Sequence, residues 1–184
     1  MTKLFQNGTR TAVHVAAHAA VQAALLLAFG IPAHAAPNTP QHPANASAQG
    51  KYIERGRYLV KVGGCNDCHT AGYGMSAGKV AEKDWLMGDQ LGWRGPWGTT
   101  YPTNLRLSMN AMGEEDWIKM AQTMQARPPM PWFTLNTMDK EDLRAIYRFV
   151  RHLGPAGKPA PAGLAPGVAP QGPAILFPAP PPPQ

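Results

Sequence analysis

Only two of the 184 residues are cysteine, so a four-cysteine zinc site is out of reach. Long apolar runs are also missing. The best candidate, residues 19–29, falls short of the about 20 residues a membrane-spanning helix needs. His14, His18 and Gln22 interrupt any longer stretch. Despite a formal net charge of +6 there is no compact basic run and no nucleic-acid motif, which sets nucleic acid aside as a partner. No internal repeat is visible, and helical patterns do not alternate with strand-like runs. The fold class these absences leave is all-α.

Proline and glycine are plentiful, at 20 and 19 residues. The prolines crowd before about residue 44 and after Gly154, which leaves about a hundred residues for one small domain. Residues 1–35 read as a secretory signal peptide. Lys3 and Arg10 give a positive start, residues 19–29 an apolar centre, and Ala33-His34-Ala35 a small-x-small cleavage site after Ala35 or Ala36. The mature chain then keeps 15 Lys and Arg against 11 Asp and Glu, a balance of +4. Residues 36–50 are expected to be a flexible linker, 51–155 the folded domain, and 156–184 a Pro-rich disordered tail. The only apolar stretch of that tail is Ala174-Ile175-Leu176-Phe177.

Three main helices are expected inside the domain. Over 51–62, Ile53, Gly56 and Val60 fall at helical spacing and Gly63-Gly64 ends the run. Over 114–125, Trp117, Met120, Ala121 and Met124 share a face, with Glu114, Glu115 and Asp116 at the amino end and Pro128-Pro129 beyond. Over 140–153, Leu143, Ile146, Tyr147 and Val150 form one stripe, Asp139 can cap, and Gly154-Pro155 breaks the helix. Residues 70–112 carry little periodicity. An irregular segment this long in so small a domain makes sense if it wraps a cofactor.

The chemistry is concentrated in Cys65-Asn66-Asp67-Cys68-His69, a C-x-x-C-H sequence. Two residues between thiols put both sulfurs on one side of a helical turn, where each can form a thioether with a haem vinyl group. The adjacent imidazole then reaches the iron. A redox disulfide usually sits in a βαβ setting, which is absent here. The reading is one covalent haem c per chain, in an exported protein. Candidates for a second axial ligand include Met109, Met112 and His152, but Met130 stands out. It lies in Arg127-Pro128-Pro129-Met130-Pro131-Trp132, where three prolines stiffen the backbone and present the thioether. The site residues are therefore Cys65, Cys68, His69 and Met130, with His69 and Met130 on the metal.

The segments 54–70, 97–105, 128–132 and 139–153 together resemble a class I cytochrome c domain. They are most similar to the single-haem modules in cytochrome subunits of bacterial alcohol and sugar dehydrogenases. The resemblance implies a cytochrome c fold whose first and last helices cross near Gly56 and Tyr147, axial ligands His69 and Met130, and segment 97–105 near the haem propionates. Such subunits usually carry three haem motifs; this chain has one. The family's Gly-rich stretch after the Asn is here replaced by residues 106–112.

These readings converge on a periplasmic monohaem cytochrome, a one-electron carrier rather than an enzyme. Its partners would be redox proteins: a periplasmic or membrane dehydrogenase, a terminal oxidase or another cytochrome. Membrane contact would come only through a partner or an uncleaved signal. Lys51, Arg55, Arg57 and Lys61 could form a basic rim for an acidic partner. The alternative is a haem enzyme or gas sensor with an open iron site, which requires that Met130 not ligate.

Overall fold

The structure is a computed structural model that describes residues 43–178, with side chains from residue 47. These residues fall in the compact unit Pro40–Gln184. The expected signal peptide, residues 36–42 of the linker and the last six residues lie outside the described part.

The described chain is mostly helical with one small sheet. In order it forms α1 (Pro43–Val62), α2 (Cys65–His69), a 3-10 turn (Glu82–Asp84), β1 (Gly92–Gly95), β2 (Gly98–Thr100), α3 (Leu105–Asn110), α4 (Glu114–Thr123), α5 (Trp132–Thr137), α6 (Lys140–Leu153) and β3 (Ala174–Leu176). The three expected helices are α1, α4 and α6. However, α1 begins at Pro43, two turns into the stretch read as linker.

The α1–α6 crossing organises the core. At Gly56 the helices touch so closely that a Cβ would lie 2.6 Å from both the Ala145 carbonyl carbon and Phe149 Cβ. This contact offsets the cost of about 1 kcal/mol for glycine inside a helix. The crossing partner is the Ala145–Phe149 turn rather than Tyr147. Tyr147 instead packs against Trp117, with centroids 6.1 Å apart, and its hydroxyl donates to the Met112 carbonyl at 2.8 Å. α6 buries Leu143, Ala145, Ile146, Phe149 and Val150, a broader face than the expected stripe, because α1 covers one side and α3 and α4 the other. Asp139 occupies the position before α6 but makes no side-chain cap; Leu143 N–H bonds its carbonyl instead.

Ion pairs stitch the helices from outside. Glu114 of α4 accepts from Arg144 and Arg148 of α6 at 2.7 and 2.8 Å. Arg148 also stacks over the Tyr52 ring of α1 at 4.2 Å. The expected basic rim is diminished by internal pairing. Arg55 binds Asp142 at 2.8 Å, and Arg57 binds Glu82 at 2.6 Å, which leaves exposed Lys51 and Lys61.

The sheet departs from the all-α expectation. β1 and β2 form an antiparallel hairpin, and β3 adds to β1 in parallel with Trp93 opposite Ile175. Residues 156–177, part of the 156–184 tail expected to be disordered, thus return along the domain. Their short apolar stretch is a strand of the molecule's own sheet.

Candidate functional site

α2 is a single turn, set apart from α1 by two glycines. Gly64 adopts φ 68°, a left-handed conformation glycine takes without penalty. Gly63 leaves room of another kind: a Cβ there would sit 2.8 Å from the Leu59 carbonyl oxygen. The sharp break lets Cys65 and Cys68, three residues apart, share one face, with His69 at the end of the same turn. The thiols are half-buried and unbridged. Burial pushes the Cys65 thiol up to about 11 and raises Cys68 as well. Reactive redox cysteines run the opposite way, towards low pKa.

His69 is held from several sides. Its Nδ1 is 2.7 Å from the Thr103 carbonyl oxygen. A carbonyl can only accept, so Nδ1 carries the proton and Nε2 keeps its lone pair for a metal. Burial lowers the pKa of the imidazole, which keeps it neutral. The backbone around it is laced to two later segments. Gly88 N–H bonds the His69 carbonyl at 2.8 Å, and Leu105 N–H bonds the Leu86 carbonyl at 3.0 Å. Thr70 Oγ1 donates to Asn66 Oδ1 and accepts from Leu86 N–H, at 2.7 and 2.8 Å.

Met130 stands on a separate arm between α4 and α5, half-buried. That arm is tied to the β1–β2 hairpin. Thr100 Oγ1 donates to the Pro128 carbonyl at 2.8 Å, and Arg127 donates to the Trp97 carbonyl at 3.2 Å. The competing ligands have other occupations. Met109 is 2% exposed within the core, Met112 packs against that core, and His152 lies on the exposed last turn of α6.

Among the described residues, four buried polar atoms lack a hydrogen-bond partner: Trp93 Nε1, Trp97 Nε1, Thr99 Oγ1 and Asn66 Nδ2. Three of them belong to the hairpin and one to α2. Buried donors of this kind are costly unless something accepts from them. Sequence reasoning missed Trp93 and the hairpin as a source of donors. The Trp93-Arg94-Gly95-Pro96-Trp97-Gly98 sequence carries the available signal, since such a turn presents two indoles close together.

These residue types are compatible with a haem. They offer two thiols and a neutral imidazole on one turn, a thioether on a stiff arm, and indole N–H groups suited to carboxylates such as haem propionates. Among the described residues, no three of His, Cys, Asp and Glu converge as a zinc-type ligand group would. Nor is any helix there long and apolar enough to cross a membrane.

No protein-family model and no solved structure matches the chain. Similarity is found to the cytochrome c subunit of a quinone alcohol dehydrogenase from Gluconacetobacter polyoxogenes and to its counterpart from Komagataeibacter europaeus. Each is 27% identical over 116 residues, covering 57% of this chain and 22% of the relative. The chain thus matches about a fifth of the length of either curated relative. That distant similarity supports a cytochrome c-like domain.

Proposed function

We propose that this chain is a monohaem c-type cytochrome that carries single electrons. Cys65 and Cys68 would hold the porphyrin through thioethers, with His69 and Met130 as axial ligands. The observation that carries this reading is the His69 turn. The imidazole's one proton is committed to the Thr103 carbonyl, and its free nitrogen follows directly on two thiols of the same turn.

When bound, a haem so ligated supplies one-electron chemistry at a potential raised relative to bis-histidine ligation. The protein's own contribution is orientation and desolvation. Thr103 fixes the ring plane and tautomer of His69. The proline-bounded arm presents Met130, and the unpartnered indole N–H groups of Trp93 and Trp97 would be available to acidic groups of the cofactor. Were His69 and Met130 both to hold the iron, no place would remain for a substrate, which favours a carrier over an enzyme.

The reading extends to setting. Haem c is attached outside the cytoplasm in bacteria, which agrees with the signal-peptide character of residues 1–35 and points to the periplasm. A dehydrogenase of the kind whose cytochrome subunit the chain resembles is the favoured electron donor, with the chain as its partner or subunit. Spectroelectrochemical titration of the mature protein tests the proposal. A single one-electron wave, with a near-infrared methionine-to-iron band in the oxidised form, is expected. A five-coordinate spectrum would favour a haem enzyme or gas sensor instead.

A further inference from the structure

The C-terminal segment 155–177 touches both arms of the candidate site at separate points. At its start, Asn104 Nδ2 donates to the carbonyls of Ala156 and Lys158 at 2.8 and 3.1 Å. Asn104 is 2% exposed, directly follows Thr103, and caps α3 by accepting from Leu107 N–H at 3.0 Å. The residue that anchors the tail is therefore adjacent to the one that holds His69.

At the middle of the segment, Leu164 exchanges backbone hydrogen bonds with Thr99 at 2.8 and 3.1 Å. Its carbonyl also accepts from Arg127 at 2.9 Å. Arg127 lies three residues before Met130 and bonds the hairpin at Trp97 with the same nitrogen. The fit here is close, since a Cβ on Gly98 would lie 2.8 Å from the Ala165 carbonyl carbon. At its end, Phe177 N–H bonds the Arg94 carbonyl at 2.8 Å. The Phe177 ring lies 5.9 Å from Trp93 and 5.3 Å from Trp97, centroid to centroid. Those are the two indoles whose N–H groups are unpartnered.

We propose that residues 155–177 form a brace joining the His69 arm to the Met130 arm, with Asn104 and Arg127 as its positioning residues. The physical reason is connectivity. Outside the helical core, the Met130 arm reaches this side of the molecule through hydrogen bonds to the short β1–β2 hairpin, which is marginal by itself. The third strand and three anchor points make the hairpin, the Thr103 carbonyl and the Arg127 side chain one cooperative unit. Proline suits the role, because a chain with few unfolded conformations loses little entropy on docking. The brace rests on the haem reading only for its spectroscopic consequence. Its mechanical claim concerns this chain's own hydrogen bonds.

Hydrogen exchange by NMR on the full-length protein as purified tests it, following the backbone N–H of Leu164 and Phe177 and the His69 Nδ1–H. In the wild type all three should be protected and should open together as mild denaturant is added. Phe177→Ala and Asn104→Ser, the latter keeping an acceptor for Leu107 N–H, should each speed His69 Nδ1–H exchange by about tenfold or more. Haem-loaded Phe177→Ala should also show a weakened near-infrared methionine band. Tail amides that exchange at unfolded-chain rates in the wild type would overturn the brace. So would variants that free the tail and leave His69 exchange and the methionine band unmoved. Should a variant fail to fold, co-opening in the wild type decides alone. Should the purified protein hold no haem, the haem reading fails while the exchange data still judge the brace.

Discussion

Gly56 of α1 lies directly on the backbone of Ala145 in α6, with no room for a side chain between the two helices. The neighbouring atoms are a carbonyl group and a Cβ, neither of which can swing aside. Gly56→Ala should therefore force the helices apart and destabilise the folded protein by at least about 2 kcal/mol. Chemical denaturation of the variant beside the wild type measures this. An unchanged midpoint would mean that the crossing is looser than described.

Met130 and Met109 should separate cleanly by readout. Met130→Ala should abolish the near-infrared methionine band and lower the reduction potential. Met109→Ala should leave the band in place and cost about 2–5 kcal/mol of stability, because Met109 is core filler. Near-infrared absorption and denaturation of both variants check the pair. Loss of the band in Met109→Ala alone would reassign the ligand.

Arg106 is a buried cation whose partners are all carbonyls. It donates to Gly154 and Lys83 at 2.6 Å each, and to Leu153. It thereby closes the carboxyl end of α6, where the tail departs. Arg106→Met keeps much of the apolar stem but leaves those carbonyls without their donor. Stability should fall by about 2–3 kcal/mol, read by thermal or chemical denaturation.

Acid should weaken the α4–α6 and α1–α6 seams. The hydrogen bond from Arg148 holds Glu114 below the usual carboxylate range, and that from Arg55 does the same for Asp142. A carboxylate whose folded pKa is depressed contributes stability that is complete above its unfolded value, near 4.5 for Glu114. That contribution is lost as pH falls through the lower folded value. Stability should therefore be flat above about pH 5 from these groups and decline below 4.5. Glu114→Gln should cost about 1 kcal/mol at neutral pH and flatten the acid decline. Denaturation midpoints across pH test both statements.

The long helices and the candidate ligands were legible in the sequence for a simple reason. α4 and α6 carry enough turns for Trp117 and Ala121, or Leu143, Ile146 and Val150, to repeat at helical spacing. The Cys65–His69 turn stands out in the sequence by the spacing of its two cysteines, and the structure forms it as a separate helical turn, α2. What escaped notice is either short or non-local. α3 and α5 are six residues each, too brief for periodicity. β1 and β2 are built around glycines, and β3 finds its partner about 80 residues earlier in the chain. Prolines in 156–177 read as disorder because nothing local fixes them; Asn104, Thr99, Arg94 and the two indoles do so from a distance. Internal pairing of Arg55 and Arg57 is likewise invisible until Asp142 and Glu82 are brought beside them.

The most direct test asks whether the mature chain keeps its porphyrin under denaturing conditions. After acid–acetone extraction, the protein's intact mass and its alkaline pyridine haemochrome spectrum should report one haem per chain, with both vinyl groups saturated by Cys65 and Cys68. Porphyrin released into the acetone, or a mass equal to that of the polypeptide alone, would contradict the account.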